Sequence, residues 1–528
     1  MEKGGNKQRK KKPFSSQIFE NLFFQGFSGV LSKGGSLLFT IIIARILFPE
    51  LFGIYSLALT IILILIAISD FGLSPSITFY LAESLGNKKK KQARSRFWFL
   101  INLKFFTSVI FSISLFLFAG VLAAFFKKPE LILPLRIGSL YLFISAIYAV
   151  ITPFFISIQK LKYTASSEAI FQVSRIFLVC VFFLFLKLEK SIFLIFVSLV
   201  LATLFSLIFV LVIIYKKYPF LIKGKKDPVE KRRILRFSGF LAAGSLGAII
   251  SLSIDKLVLG FFLESEFVGF YAAIFSIVGG VIGFVGITAV FFPVFVQLKG
   301  EKLKSFFTKS FHYLSILVFP ASIGLAFVLP SLLKILYGAE YLPAQYKFSF
   351  IITAALLSLI ILENAFSGFY KTLLDAKEMP KISAFINIAT SILNVFLNVF
   401  FIYYLIKIDI SYGLIGASAA TFLSRYAGLF AIAFLAKKRT NISPKRSSVI
   451  KPFFASIIML VYLFFFHHFF PMNLISGIIM IVSAAIFYFL ILLLIKGLDI
   501  NEVKSLLFKD SKDILGHKEF ISSEKESN

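Results

Sequence analysis

About fourteen long apolar segments run from Leu22 to Lys496, separated by loops alternately rich and poor in Lys and Arg. A bilayer core about 30 Å thick is crossed by roughly 20 helical residues, and nearly every segment is that long or slightly longer. The segments lie at residues 22–46, 52–82, 97–126, 131–158, 166–187, 191–215, 237–263, 267–297, 307–335, 345–370, 381–406, 412–436, 450–470 and 473–496. The chain reads as an all-α polytopic membrane protein. Hydrophobic residues make up 58% of it, mean hydropathy is +0.91 and Phe occurs 70 times, which no water-soluble domain needs.

The net charge of +30 does not point to nucleic acid, because the basic residues sit in short loops rather than on a soluble domain. With the N-terminus inside, the cytosolic segments hold most of the Lys and Arg, and both termini face the cytosol of a cell membrane. The strongest contributors are Lys88–Lys91 with Arg94 and Arg96, the stretch from Lys216 to Arg236, and Lys437, Lys438 and Arg439. The tail holding Lys10, Lys11 and Lys12 reads as a mature cytosolic tail rather than the start of a secretory signal. The apolar run after Leu22 is too long for one, and no small-residue cleavage site follows. Cys180 is the one cysteine, so an intrachain disulfide is excluded.

The domain plan follows from the loops. Residues 1–21 form a basic cytosolic tail, 22–215 a six-helix bundle, 216–236 a basic linker and 237–436 a second six-helix bundle. A cytosolic loop at 437–449, two extra membrane helices at 450–496 and a cytosolic tail at 497–528 complete it. The two bundles carry a repeat. Phe27-Ser28-Gly29 and Phe52-Gly53-Ile54-Tyr55 open the first two segments, and Phe237-Ser238-Gly239 and Val268-Gly269-Phe270-Tyr271 open the seventh and eighth, in the same direction. Two pseudo-symmetric parallel repeats are expected.

The stretch Ala44-Arg45-Ile46-Leu47-Phe48-Pro49-Glu50-Leu51-Phe52-Gly53-Ile54-Tyr55, followed by Asp70-Phe71-Gly72-Leu73, resembles the opening of polysaccharide-export flippases of the multidrug/oligosaccharidyl-lipid/polysaccharide (MOP) superfamily. Asn394-Val395-Phe396-Leu397-Asn398 and Tyr412-Gly413-Leu414-Ile415-Gly416-Ala417-Ser418-Ala419-Ala420-Thr421 resemble that family's eleventh and twelfth helices. Phe48 departs from the family, which usually has Gly before the Pro. The resemblance implies two six-helix bundles around a central cavity, alternating access, and movement of lipid-linked sugars. Its implied partners are membrane lipids, the lipid-linked sugar, and a glycan polymerase or glycosyltransferases.

Intramembrane charges mark the candidate site, since an ionised group at the bilayer centre is costly and should face a wet cavity or a partner. Counting 1.5 Å per residue puts Lys33, Arg175 and Arg425 near the midplane. Three cations at one depth suit a phosphate or pyrophosphate headgroup, which guanidinium holds through paired hydrogen bonds. The competing reading is ion pairing within the protein, with Glu168, Asp70, Asp255 and Glu363 as partners. Glu168, Gln172 and Arg175 share one helical face, which reads as wet, and Asn387, Asn394 and Asn398 repeat the design in the eleventh segment. The amides suit sugar hydroxyls or interhelical hydrogen bonds. Asp70, Asp255 and Glu363 are candidates for a gate or for coupling to Na⁺ or H⁺. Arg45 reads as an end residue capping its own helix.

No catalytic constellation appears. His312, His467, His468 and His517 are scattered, no metal site or cofactor is indicated, and a phosphate-binding GxxxxGK[ST] loop is absent. The chain reads as a flippase for lipid-linked oligosaccharides rather than an enzyme. The alternatives are a cation-coupled exporter of drugs or metabolites, whose site should be rich in carboxylates, and a membrane enzyme or assembly scaffold.

Overall fold

In hydrocarbon every backbone N–H and C=O must be satisfied within its own segment, and long apolar runs therefore fold as helices. The computed structural model describes residues 14–186, 191–222, 224, 227–285, 288–470 and 472–498. The outermost parts of both tails, including Lys10–Lys12 and His517, lie outside the described residues, as do Lys223, Lys225 and Lys226 of the linker.

The helices in chain order are α1 (Phe14–Ile68), α2 (Leu73–Gly86), α3 (Lys90–Phe125), α4 (Ile132–Ile151), α5 (Pro153–Ser157), α6 (Leu161–Cys180), α7 (Ile192–Lys217) and α8 (Lys231–Phe262). They continue as α9 (Ser265–Val285), α10 (Phe292–Gln297), α11 (Gly300–Leu336), α12 (Lys347–Ala376), α13 (Pro380–Leu405), α14 (Tyr412–Thr440), α15 (Ser447–Phe469) and α16 (Leu474–Leu494). No strand occurs among the described residues. Among the described residues, twelve helical stretches are long and apolar enough to cross a membrane. They differ from the expected fourteen in two places: the first two segments are one continuous stretch, Phe23–Gly86, and α8 falls outside the twelve. Large apolar side chains such as Phe106, Phe118, Phe396, Phe430 and Phe464 point outward, as a lipid-facing surface requires and a water-facing one forbids. The protein is a multi-pass membrane protein.

Within the first stretch α1 is two limbs that fold at Phe48, whose φ of 58° and ψ of 170° lie in a region that glycine favours. Pro49 then starts the second limb, where its missing N–H costs nothing. Before the linker, α3 packs on α4, α4 on α7, and α6 on both α7 and α1; after it, α11 packs on α12, α14 on α12 and α13, and α13 on α8. Among the described residues, the most extensive contact between helices is that of α1 with α9. It joins helices on either side of the linker, and near the start of α9 Gly53 and Gly269 let the backbones meet. A Cβ on Gly53 would lie 1.7 Å from the Ser265 carbonyl oxygen, and one on Gly269 2.0 Å from that of Pro49. α15 and α16 pack outside α11 through Ile316, Val328, Met459, Leu463 and Tyr488.

Both ends of the bundle are closed by contacts across the linker's two sides. At the end away from the basic loops, Arg45 does not cap its own helix. It donates to the carbonyls of Ile335 and Leu336 at the close of α11, and Tyr341 donates to Ala44 O at 2.9 Å. There Lys128 Nζ donates to Gly260 O and Leu263 O at 3.0 and 2.7 Å. Burial lowers the Lys128 ammonium pKa from the ordinary lysine value, against the opposing pull of Glu130 and Glu264. At the basic end, Ser76 and Ser238 hydroxyls are 2.7 Å apart, and Arg96 and Arg233 share Glu83 and Glu230 at 2.6 to 3.3 Å.

Candidate functional site

The polar cavity with the most candidate residues lies among α12, α13 and α14. It has a volume of about 240 Å³ and is lined by Glu363, Asn364, Ser367, Lys371, Ile386, Asn387, Thr390, Ser391, Arg425 and Gly428. Three sequence candidates meet here: Glu363, Asn387 and Arg425. One Arg425 Nη lies 3.3 Å from Glu363 Oε2, so this cation has the internal partner that the competing reading required. Its Nε has no partner, and Lys371 adds a second cation with no ion pair among the described residues. The lining thus holds two cations, one carboxylate, two side-chain amides and three hydroxyls. This donor-rich set can bind an anion and sugar hydroxyls together. The sequence reading missed Lys371 because it ended the tenth segment at residue 370, whereas α12 continues to Ala376.

Deeper along the same helices, Asp255 of α8 is buried at the centre of a second cluster. It accepts from Tyr271 Oη at 2.6 Å, Thr421 Oγ1 at 2.7 Å and Asn398 Nδ2 at 2.8 Å. Asn394 Nδ2 donates to Thr421 Oγ1 and Ser424 Oγ at 3.2 and 3.1 Å. The Oδ1 atoms of both Asn394 and Asn398 are buried without a partner. A carboxylate beside two unsatisfied amide oxygens and a hydroxyl forms an oxygen-only donor set, which suits a hard monovalent or divalent cation better than a soft metal. Asn394 and Asn398, expected to line the cavity with Asn387, belong instead to this cluster.

Arg175 and Lys33 stand apart from the cavity. Gln172 donates to Glu168 Oε1 at 2.6 Å and accepts from Arg175, which also donates to Ser36 Oγ at 3.0 Å. The Arg175 guanidinium sits 4.4 Å from the Phe39 ring and 4.9 Å from that of Phe171. The α6 face expected to be wet is therefore turned onto α1, with Gln172 and Arg175 buried against it. Stacking between two aromatic rings does for this guanidinium what a carboxylate does elsewhere. Lys33 is exposed, its stem against Gly283 of α9. The three cations do not share one pocket; only Arg425 lines the cavity.

Asp70 marks the break between α1 and α2. It accepts from the Ser74 hydroxyl at 2.6 Å and pairs at 3.3 Å with Lys104 of α3, which is fully buried and also bonds Ser69 Oγ. Gly72 completes the break at φ 70°, with the Ser238 carbonyl oxygen 2.3 Å from where a Cβ would stand. Lys104 was findable in the sequence, because a lysine eight residues inside an apolar segment requires an acidic partner.

The sequence profile of the family described as polysaccharide biosynthesis protein matches residues 18–299. No curated protein matches the sequence. Among solved structures, the lipid II flippase MurJ in an inward closed conformation superposes with a TM-score of 0.65 at 15% identity, over 90% of this chain and 98% of that one. An inward-facing multidrug resistance MATE family transporter of the MOP superfamily gives 0.55 at 13%, over 80% of this chain and 96% of that one. A MOP superfamily transporter from Pyrococcus furiosus, described as having a binding pocket of reverse polarity, gives 0.53 at 14% over the same shares. At such identities the likeness establishes the fold alone, which this chain shares with MurJ and the MATE transporters. The profile spans more than half of the chain, and the protein belongs to the polysaccharide biosynthesis protein family.

Proposed function

We propose that the protein flips a lipid-linked oligosaccharide from the cytosolic to the outer leaflet of the cell membrane by alternating access, with its basic end in the cytosol. The cavity among α12, α13 and α14 carries this reading. Its two cations outnumber its one carboxylate, and amides and hydroxyls complete a lining suited to a phosphate or pyrophosphate with attached sugars. An organic-cation exporter needs the opposite balance. Arg425 and Lys371 take the charged headgroup, Asn364, Asn387, Ser367 and Thr390 take sugar hydroxyls, and the isoprenoid tail stays in lipid. The first and second bundles, residues 22–215 and 237–436, rock against each other across the α1–α9 contact.

The Asp255 cluster supplies the coupling. A cation such as Na⁺ held by Asp255, Asn394, Asn398 and Thr421 ties α8 to α13 and α14, the helices that line the cavity or flank it. Protonation of Asp255 is the alternative with the same mechanical effect. Native mass spectrometry of the purified protein with a lipid-pyrophosphate oligosaccharide tests the binding step. Wild type retains the lipid, whereas Arg425→Gln and Lys371→Gln weaken retention by about tenfold each, as loss of one charge-assisted hydrogen bond predicts. Equal retention by all three proteins would remove the cavity from the account.

A further inference from the structure

The basic end holds a second, larger concavity that the transport site does not use. It has a volume of about 880 Å³ and runs between α2, which contributes Phe79 and Tyr80, and the start of α8, which contributes Lys231, Arg232, Arg233, Arg236 and Phe237, with Glu230 at its rim. The nearby acids are already committed. Glu83 bonds Arg96 and Arg233 at 2.6 and 3.0 Å, and Glu230 bonds the same two arginines at 3.3 and 3.0 Å. Lys231, Arg232 and Arg236 are exposed and have no acidic partner among the described residues. Arg232 and Arg236 are four residues apart and stand on one face of α8.

The opposite wall is aromatic. Phe79 is 46% exposed, and its ring centroid lies 4.9 Å from that of Phe237. Unpaired guanidinium groups beside an open aromatic wall, at the boundary between basic loops and apolar helices, match an amphiphile with a phosphate head and an apolar body. A free anion would use the cations and leave the rings in water.

We infer that the groove between α2 and α8 binds the phosphate headgroup of a lipid in the adjoining leaflet and that the bound lipid holds the basic end closed. The two walls belong to helices on opposite sides of the linker. They meet where Ser76 and Ser238 hydroxyls are 2.7 Å apart and Tyr80 Oη donates to Arg233 O at 3.3 Å. A ligand that touches both walls binds better when they are together, and by linkage it favours that state. Ordinary phospholipid and polyprenyl phosphate carry the same chemistry, and the groove is independent of which sugar is transported.

The test uses the full chain in nanodiscs, with Cys180→Ala and the pair Ser76→Cys and Ser238→Cys, whose disulfide rate reports how often α2 and α8 are together. Discs of phosphatidylcholine alone are compared with discs containing phosphatidylglycerol or polyprenyl phosphate, and with inorganic phosphate added to the first. An anionic lipid is expected to speed cross-linking by up to about thirtyfold, taking two cationic contacts at the surface. Arg232→Gln with Arg236→Gln removes the increase, and Lys437→Gln with Lys438→Gln, on the basic turn ending α14, retains it. Action of phosphatidylglycerol identifies ordinary phospholipid as the occupant; action of polyprenyl phosphate alone identifies the carrier lipid, and both support the site. Lipid retention in native mass spectra, lower in the arginine variant at unchanged melting temperature, distinguishes lost binding from misfolding. An equal rate in all discs, equal loss in both variant pairs, or full replacement by inorganic phosphate would overturn the inference.

Discussion

Alanine at Gly53 places a Cβ 1.7 Å from the Ser265 carbonyl oxygen and 2.9 Å from the Gly269 nitrogen, and alanine at Gly269 places one 2.0 Å from the Pro49 carbonyl oxygen. The obstructing atoms are backbone, so no rotamer change relieves them. A comfortable carbon–oxygen contact is about 3.3 Å, which requires α1 and α9 to part by ~1.5 Å. A gap of about 0.5–1 Å already forfeits a quarter to a half of the dispersion energy of facing atoms. On the most extensive helix interface among the described residues, the cost is about 2–4 kcal/mol, in the upper range for overpacking. At about 1.4 kcal/mol per decade, the closed form of that end loses roughly 30- to 1,000-fold in population. Spin labels at Glu130 and Glu340, both exposed and on opposite sides of the linker in sequence, report the change by double electron–electron resonance. Both variants should shift the distance distribution to longer values and melt earlier. Gly279→Ala is the control on the same helix: its Cβ meets nothing within 4 Å, and it gains about 1 kcal/mol of helix propensity. Unmoved distributions in both interface variants would refute the interlock.

Phe48→Gly should raise the melting temperature, because the backbone at φ 58° and ψ 170° costs any side chain about 1–3 kcal/mol and Phe48 itself is partly exposed. Lys104→Met should destabilise by about 3–5 kcal/mol by stranding Asp70, and adding Asp70→Asn should recover part of the loss; chemical denaturation in detergent measures both. Asp255→Asn should leave headgroup binding intact while abolishing any dependence of transport on an imposed Na⁺ or proton gradient. Gradient dependence that survives the change would move coupling away from α8.

The run of apolar segments reads the all-helical membrane fold, because a membrane helix must be apolar for its full length. Gly53 and Gly269, which stand in the sequence echo between the two halves, meet across the α1–α9 contact, where each lets the other's backbone approach. Asn394 and Asn398 were visible as a polar face but were assigned to the wrong chamber. Spacing along one helix sets the side of the helix a residue faces, not which neighbour it meets, and Asp255 was the missing neighbour. The same holds for Arg175 and Arg425: counting along a helix sets them near one depth but cannot say that Arg175 packs against α1 while Arg425 lines the cavity. Such counting could not find Lys371, where a helix runs past the apolar stretch that announced it.

The most direct test of the account is exposure of the headgroup of a lipid-pyrophosphate oligosaccharide in sealed proteoliposomes, with wild type, Arg425→Ala and protein-free vesicles side by side and organic-cation uptake as the control. The account predicts rapid exposure by wild type, a rate reduced by at least about tenfold in the variant as expected for one charged contact, and no cation uptake. Cation uptake without headgroup exposure would contradict it and assign the protein to cation export.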